Sequence, residues 1–179
     1  MILGYDPLRI FIYNEGLGRF ATEKYKRAKK KNMNDVHMHL TNYAINKSSS
    51  KFIYNKSAKD MAKGHKRSLS AIYGHLKKMG VNVDELKRKI DEVIVKTLIV
   101  GQPTIAHTYG LAQADNQAND ICFQILGFDI LVDEKLEPFL LEVNHTPSFQ
   151  TDTPLDKHIK KNLIKDTLKL LNVNIKNKK

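Results

Sequence analysis

Two short apolar segments near the end of the chain carry the clearest hydrophobic pattern. Residues 128–132 (FDILV) and 139–143 (FLLEV) are almost wholly apolar, and the polar segment DEKLEP joins them. Short apolar runs bounded by turn-forming residues are typical of strands buried in a core. A proline is tolerated as the first residue of a strand. The pattern therefore predicts two adjacent buried strands, with Pro138 opening the second.

The rest of the chain predicts helices and further strands. The predicted elements are a strand over residues 9–14, a helix over about 65–79 ended by Gly80, a helix from about Asp84 that Gly101–Pro103 kinks or splits, a strand beginning near Ile121, and a closing helix over about 154–171 capped by Asp152 or Thr153. The buried face of the closing helix is predicted to carry Leu155, Ile159, Leu163, Leu168 and Leu171. Residues 21–60 are polar and loop-like apart from His37–Tyr43. This order indicates an α+β fold, a mostly antiparallel sheet flanked by helices.

Three polar side chains interrupt the apolar strand pair. If Val132 pairs with Phe139, Asp129 lies opposite Glu142 with Cβ atoms roughly 4.5–5.5 Å apart. Alternation places Asn144 on the same face as Glu142. Two carboxylates this close inside an apolar sheet repel each other, and Mg²⁺, which takes oxygen ligands, resolves the conflict. The pattern predicts a metal site; in the alternative, the acids end a strand or pair with lysine and the amide caps a turn.

Length and composition allow one globular domain. The chain has 179 residues, ordinary hydrophobic content of 41%, and a single cysteine, Cys122, which excludes an internal disulfide and fits a reducing compartment. No apolar run approaches the ~20 residues of a membrane helix, and the N-terminus lacks the pattern of a secretory signal. We expect a cytoplasmic protein that does not act at a membrane.

The chain is strongly basic. Its net charge is +11, from 30 basic and 19 acidic residues, and the densest basic run is Lys24–Lys31. Such a charge implies an acidic partner. No nucleic-acid motif accompanies the run, so an acidic polypeptide is favoured over nucleic acid. The alternative is a solvated face, with a lysine-rich tail at 176–179.

Four segments resemble successive motifs of the tubulin tyrosine ligase-like family, within the ATP-grasp superfamily. They are GLGRFAT, MHLTNYAINK, FQILGFDILVD and PFLLEVNHTPSF. HLTNYAINK together with EVNHTPSF is more similar to the glutamate-adding branch than to tyrosine- or glycine-adding relatives. The resemblance implies a partial ATP-grasp ligase domain over residues 1–179. It also implies a reaction in which ATP phosphorylates a carboxylate and the amine of an amino acid attacks the acyl phosphate.

The resemblance implies roles for residues in the first half of the chain. In the family, the position matching Arg19 binds the carboxylate of the incoming amino acid, for which a forked guanidinium is suited. Thr41 and Asn42 match a segment that contacts ATP, and Tyr43 matches a position close to the amino-acid pocket. Lys66 is a candidate for holding a substrate carboxylate. The alternatives are a solvated Arg19, a turn capped by Thr41 and Asn42, and a Lys66 on the surface of its helix.

In the second half of the chain, the resemblance implies which residues bind the metal ion and which residue accepts a proton. Mg²⁺ held by Asp129, Glu142 and Asn144 would bridge the β- and γ-phosphates of ATP. His145 would orient the acceptor or take a proton during amine attack. Alternatively, His145 is a histidine packed against a turn.

The implied partners are free L-glutamate and the glutamate-rich tails of tubulin and microtubules, which a basic surface would attract. The implied location is the cytoskeleton, including the cilium or basal body. In ATP-grasp ligases the phosphate-binding lysines and purine-binding linker precede the motif that contains Arg19. We therefore expect the N-terminal lobe to be absent and the chain to be a C-terminal portion. Two other functions stay open: a catalytically silent, basic microtubule-binding fragment, and a ligase for an acidic acceptor other than tubulin.

Overall fold

A computed structural model describes residues 1–57, 59–112 and 122–172. In chain order the elements are β1 (Ile2–Tyr5), β2 (Leu8–Ile10), β3 (Leu17–Arg19), α1 (Val36–His39), α2 (Tyr43–Asn46), β4 (Lys66–Ser68), α3 (Leu69–Lys78), α4 (Val83–Ala112), β5 (Phe123–Gln124), β6 (Gly127–Val132), β7 (Pro138–Asn144) and α5 (Pro154–Leu171). All strand pairs in this part of the chain are antiparallel. The predicted α+β class is confirmed.

The chain forms two compact units. The first comprises Met1–Asn14 and Gly80–Ser148, and the second comprises Glu15–Met79 and Phe149–Lys179. Each unit therefore combines segments that are distant in sequence. The predicted metal ligands belong to the first unit, and Arg19, Thr41–Tyr43 and Lys66 belong to the second.

The core of the first unit lies between a small sheet and a long helix. The sheet has the strand order β2-β1-β5. Ile2 and Tyr5 of β1 are buried together with Leu98 of α4. Gln102 Nε2 donates a hydrogen bond to the Tyr5 carbonyl at 2.8 Å. The Tyr5 ring also packs against Tyr109, with ring centroids 5.0 Å apart. Apolar burial and this polar contact together fasten α4 to the sheet.

Several predicted boundaries in this unit were wrong. The sequence pattern missed β1. Strand β2 ends at Ile10 rather than Asn14: its ladder with β1 runs to the pair Ile2–Ile10, and beyond it only Phe11 and Met1 exchange backbone hydrogen bonds. Helix α4 is not split at Pro103. Leu98 and Ile105 lie on either side of this proline and pack into the same core, which favours a continuous helix. Ile121, where a strand was predicted to begin, lies outside the described residues.

In the second unit, β3 and β4 pair so that Arg19 lies opposite Lys66. The predicted helix start at residue 65 was wrong, because residues 66–68 form β4 and the helix begins at Leu69. The Ser68 hydroxyl caps α3 by accepting a hydrogen bond from the Ala71 amide at 3.1 Å. Gly80, with φ +84°, follows the C-cap of α3, which confirms the predicted end of the helix.

Helix α5 confirms the predicted range and selects one of the two predicted caps. Thr153 is the N-cap, and it forms a reciprocal capping box with Asp156. Leu155 and Ile159 are buried as predicted, but Leu168 is 56% exposed and Thr167 is buried instead. The apolar face is therefore shorter than the pattern predicted. Within the described ranges, no helix is long and apolar enough to cross a membrane.

Replacing Gly64 by alanine is expected to destabilise the fold more than the same replacement at another glycine with a positive φ. Its φ is +76°, and a Cβ atom there would lie 2.7 Å from the Ile53 carbonyl oxygen. Gly80 has a similar φ of +84°, but a Cβ atom there would meet nothing within 4 Å. Gly80→Ala should therefore cost only the left-handed conformation, roughly 1–2 kcal/mol.

Gly64→Ala adds a clash with backbone and should lower the free energy of unfolding by about twice as much. Urea unfolding of the two variants measures the difference. Equal losses would show that the Ile53 carbonyl moves away easily.

Candidate functional site

The two strands that carry the predicted metal ligands pair as a hairpin with one irregularity. Asp129 lies opposite Glu142, as predicted. Val132 pairs with Pro138 rather than Phe139, because the pairing shifts by one residue between Asp129 and Ile130. Bulges of this kind bend a strand and re-aim its side chains, and they are common beside active sites. The acidic pair is therefore correct, although the pairing used to predict it was wrong at the loop end.

The strand pair is not buried as predicted. Leu131 and Leu141 are 52% and 63% exposed, Glu142 is exposed, and Asp129 is half-buried. Within the part of the chain that the structure describes, β6 and β7 pair only with each other. Among these described residues, no third strand extends this sheet. Solvent, and hence a dissolved nucleotide or cation, can reach the Glu142 carboxylate.

Asn144 extends the acidic pair. Its Nδ2 donates a hydrogen bond to Glu142 Oε1 at 3.2 Å, which confirms that the two side chains share a face. This bond uses the amide nitrogen, so the amide oxygen retains its capacity to bind a cation. Gly127 lies opposite Asn144 and adds no side chain there. The donor set of two carboxylates and one amide oxygen fits Mg²⁺. Among the described residues, no group of three or more His, Cys, Asp and Glu forms a metal cluster.

His145 follows β7 directly and is exposed. Its backbone carbonyl accepts a hydrogen bond from Gln124 Nε2 at 2.6 Å. The backbone after the acidic pair is thereby tied to β5, and the imidazole is left at the surface next to Asn144. The exposed imidazole is not packed into a turn, and its role in proton transfer stays a prediction.

Lys66 does not lie on a helix surface. It belongs to β4 and is 8% exposed. Its Nζ lies 2.9 Å from Asp156 Oδ2 and 3.2 Å from Asp156 Oδ1, and 3.9 Å from the centroid of the Tyr43 ring. The ammonium is thus held by an internal carboxylate and an aromatic face. Arg19, its partner across the strand pair, is exposed.

The Asp156 carboxylate, which is 1% exposed, is saturated with donors. Its Oδ2 accepts from the Thr153 amide at 3.0 Å and from the Thr153 hydroxyl at 2.9 Å, in addition to Lys66. A buried carboxylate is tolerated only when it is paired and hydrogen-bonded in this way. Asp156 therefore joins the start of α5 to β4 and, through Lys66, to Tyr43.

An aromatic cluster surrounds Tyr43. The Phe52 ring lies 5.7 Å from Tyr43, 4.7 Å from Tyr54 and 5.2 Å from His65, measured between centroids. Burial, followed by the nearby Asp152 carboxylate, raises the pKa of Tyr43. A tyrosine phenol is in any case protonated at neutral pH, so Tyr43 can donate a hydrogen bond to an anionic group.

His65 should make this cluster sensitive to acid. Burial and the charge of Arg67 lower the pKa of His65, and its Nδ1 accepts a hydrogen bond from the Ile53 amide at 2.9 Å. The folded state thus favours neutral imidazole, while the unfolded chain binds a proton near pH 6.5. The stability that this preference contributes is complete above that pH and is lost as the pH falls below it.

Lowering the pH from 7.5 to 5.5 should therefore reduce the free energy of unfolding, and His65→Asn should reduce that dependence. Unfolding curves at both pH values provide the test. An unchanged pH dependence in the variant would assign it to other groups.

Thr41 and Asn42 lie at the surface before α2 and are both exposed. Asn42 occupies the N-cap position of α2, yet its side chain makes no cap hydrogen bond. A purely structural capping role for this asparagine is therefore not supported. Both side chains are placed where a dissolved ligand can contact them.

The basic run forms an exposed loop in the second unit. Its cationic residues are all exposed: Lys24, Lys26, Arg27, Lys29, Lys30 and Lys31. Asn32 shapes the loop, since its Oδ1 accepts from the Lys29 amide at 2.7 Å and its Nδ2 donates to the Arg27 carbonyl at 3.1 Å. A concentrated positive surface is therefore available to an acidic partner.

Comparison with known proteins decides the family. The sequence profile of the tubulin-tyrosine ligase family matches residues 1–179. The chain belongs to the tubulin-tyrosine ligase family. The predicted family is thus confirmed over the whole sequence.

Relatives within this family carry the names of glutamate-adding enzymes. The chain is 54% identical over 178 residues to the probable beta-tubulin polyglutamylase of Tetrahymena thermophila, covering 99% of this chain and 15% of that protein. It is 50% identical to human tubulin polyglutamylase TTLL6, covering 100% of this chain and 20% of the relative. With human tubulin polyglutamylase TTLL13 the identity is 46%, over 97% of this chain and 21% of the relative. The chain spans about a fifth of the length of the curated relatives it matches.

In this member of the tubulin-tyrosine ligase family, Asp156 and Asn46 are two buried polar residues that the sequence motifs did not indicate. The spacing of Thr153 and Asp156 is a recognisable capping pattern, and it indicates the start of α5. No feature of the neighbouring sequence indicates the ion pair between Asp156 and Lys66, which lies 90 residues away. Asn46 lies in the recognised segment HLTNYAINK, but the sequence gives no sign of its burial.

Proposed function

We propose that this protein takes part in the ATP-dependent addition of glutamate to glutamate residues in tubulin tails. The observation that carries the proposal is the placement of Asp129 opposite Glu142, with Asn144 hydrogen-bonded to Glu142. This group is suited to binding a nucleotide through a divalent cation. The names of the relatives, which are tubulin polyglutamylases, support glutamate and tubulin as the substrates.

The acidic side chains would hold Mg²⁺ and ATP in one place. Mg²⁺ supplies neutralisation of the charge that develops on the phosphates during transfer. Asp129 and Glu142 provide the negative charge for this task, and the Asn144 amide provides a neutral oxygen. Thr41 and Asn42, exposed and polar, would contact ATP through hydrogen bonds.

The proposed reaction has two steps. A carboxylate oxygen of the acceptor attacks the γ-phosphorus of ATP. The bond between the γ-phosphorus and the oxygen that bridges it to the β-phosphorus breaks, and ADP leaves. The amine nitrogen of free glutamate then attacks the acyl carbon, phosphate leaves, and the amine loses a proton. His145, exposed beside the acidic group, would accept that proton.

The second unit would bind the incoming amino acid. Arg19 is exposed on β3 and would bind its α-carboxylate through the guanidinium fork. The protonated Tyr43 phenol would donate a further hydrogen bond. Lys66 was predicted to hold a substrate carboxylate, but its ammonium already contacts Asp156 and the Tyr43 ring. We assign it instead to the positioning of Tyr43.

The basic loop would attract the acceptor. Tubulin tails are acidic, and the exposed charges of Lys24–Lys31 would steer them toward the protein. Attraction between exposed charges is screened by salt over a Debye length of about 10 Å at 0.1 M ionic strength. The ligation rate on microtubules should therefore fall as ionic strength rises, more steeply in the wild type than after loop neutralisation. A ligation rate that does not change with ionic strength would contradict a role of the basic loop in attracting the acceptor. Because tubulin is the proposed substrate, we also propose a location in the cytoplasm on the cytoskeleton, including the cilium or basal body.

Incorporation of labelled amino acids tests the function. The chain is incubated with ATP, with labelled glutamate, glycine or tyrosine, and with either microtubules or acidic peptides unrelated to tubulin as the acceptor. Incorporation of glutamate alone, lost in Glu142→Gln, would support the proposal. Glutamate transfer only to acidic peptides unrelated to tubulin would move the activity to another acceptor.

The alternative of a catalytically silent, basic microtubule-binding fragment is not favoured by the names of the relatives. It predicts microtubule binding that survives Asp129→Asn and is lost when Lys24–Lys31 are neutralised. Folded protein that binds microtubules and incorporates no amino acid would favour this alternative.

A further inference from the structure

Asn46 is almost completely buried, with 1% of its surface exposed, and its amide is fully hydrogen-bonded. Its Oδ1 accepts from the Thr22 amide at 2.9 Å and from the Thr22 hydroxyl at 3.1 Å. Its Nδ2 donates to the Leu40 carbonyl at 2.7 Å and to the Asn42 carbonyl at 3.1 Å. An asparagine amide offers two donor hydrogens and two acceptor lone pairs, and Asn46 uses all of them.

These four bonds join two segments that were both singled out in the sequence. Thr22 ends GLGRFAT, three residues after Arg19, and Leu40 and Asn42 flank Thr41 in HLTNYAINK. All of these residues belong to the second compact unit. One buried side chain thus connects the segment that directly follows the Arg19 strand with the segment that carries Thr41 and Asn42.

The chemistry of the contact explains why an asparagine is needed. The Leu40 and Asn42 carbonyls can only accept hydrogen bonds, whereas the Thr22 amide can only donate one. A carboxylate would lose both donors and repel the two carbonyls, and an aliphatic side chain would leave the polar groups unpaired. A buried polar group without a partner is destabilising. The site therefore requires a side chain that donates on one edge and accepts on the other.

We propose that Asn46 is a positioning residue that fixes the amino-acid contact at Arg19 and the ATP contact at Thr41–Asn42 relative to each other. The inference rests on the proposed function, because it takes these two contacts from that function. Its specific consequence is that one substitution weakens the binding of both small substrates. A residue with only a stabilising role would lower the melting temperature without that joint effect.

The chain offers a matched control. Asn55 is also buried, at 4% exposure, in the same unit. Its Nδ2 donates to the Asp60 carbonyl at 2.9 Å and to the Lys63 carbonyl at 2.8 Å. These hydrogen bonds of Asn55 involve neither Thr22 nor the 40–42 segment. Asn55→Ala therefore reproduces the loss of a buried amide without disturbing the proposed connection.

The test measures kcat and the apparent KM for ATP and for glutamate in the wild type, Asn46→Asp, Asn46→Ala and Asn55→Ala. Misplacement of both contacts should raise both KM values by about tenfold in the Asn46 variants, equivalent to about 1.4 kcal/mol each. Asn55→Ala should leave both within about twofold, since its side chain makes no hydrogen bond to Thr22 or to the 40–42 segment. Thr22→Val removes only the hydroxyl bond, and it should raise both KM values less, which keeps the test usable if Asn46→Ala does not fold.

The outcomes separate the inference from the function on which it rests. Wild-type ligation with Asn46 variants whose KM values match those of Asn55→Ala would overturn the positioning role alone. A rise in only one KM would overturn it as well, because the connection would then not be shared. A folded wild-type chain that neither ligates glutamate nor binds a fluorescent ATP analogue would instead overturn the proposed function, and the inference with it.

Discussion

Glu142→Gln is expected to reduce ATP-dependent glutamate ligation by at least about 100-fold, the loss typical of removing one preorganised electrostatic contact from an active site. The substitution keeps the shape of the side chain and replaces its charge by a neutral amide. The Asn144 amide can still donate to an oxygen at that position, so the local hydrogen bond survives. What is lost is one of the two negative charges facing each other across β6 and β7.

The control for this prediction is Glu134→Gln. Glu134 is an exposed carboxylate in the turn between the same two strands, outside the ladder of paired residues. It should retain ligation, whereas Asp129→Asn should resemble Glu142→Gln. The Mg²⁺ concentration that gives half-maximal rate should rise in the Glu142 variant, since one anionic ligand has gone. Equal ligation rates for the Glu134 and Glu142 variants would show that the acidic pair, Asp129 and Glu142, takes no part in the reaction.

The acidic pair was predictable because strand geometry is periodic. Alternation alone placed Asn144 and Glu142 on one face, and the short polar loop brought Asp129 opposite Glu142. The bulge at the Asp129–Ile130 step was not predictable, because it depends on how the two strands twist against the rest of the unit. Exposure of Leu131 and Leu141 was also missed, since an apolar sequence indicates a tendency to be buried and not the presence of a covering layer.

The burial of Lys66 could not be predicted from the neighbouring sequence, and the reason differs from that for the strand pair. HKRSLS contains no apolar alternation, so nothing distinguishes a strand followed by a capped helix from a continuous helix. Two facts decide its burial: the pairing of β4 with β3, and a carboxylate at the start of α5. Both are long-range contacts. The same holds for Asn46, whose partner Thr22 lies 24 residues away.

Lys66→Met is expected to lower the free energy of unfolding by about 3–5 kcal/mol, the cost of removing one partner of a buried ion pair. Methionine fills much of the space of the lysine stem, so the loss arises from electrostatics more than from a cavity. The Asp156 carboxylate would remain buried with only its Thr153 donors. Urea unfolding followed by circular dichroism measures the change.

A second substitution separates charge from packing. In Lys66→Met with Asp156→Asn, the buried negative charge is gone while the neutral side chain still accepts from Thr153, so most of the loss should be recovered. Lys51→Met is the surface control, because its partnership with Glu23 is exposed and should contribute little.

A double variant as unstable as Lys66→Met would show that the lysine stabilises by packing, against the Tyr43 ring among others. Recovery of stability in the double variant without recovery of glutamate binding would have a different meaning. It would show that the ammonium positions Tyr43 for the substrate, separately from its role in the fold.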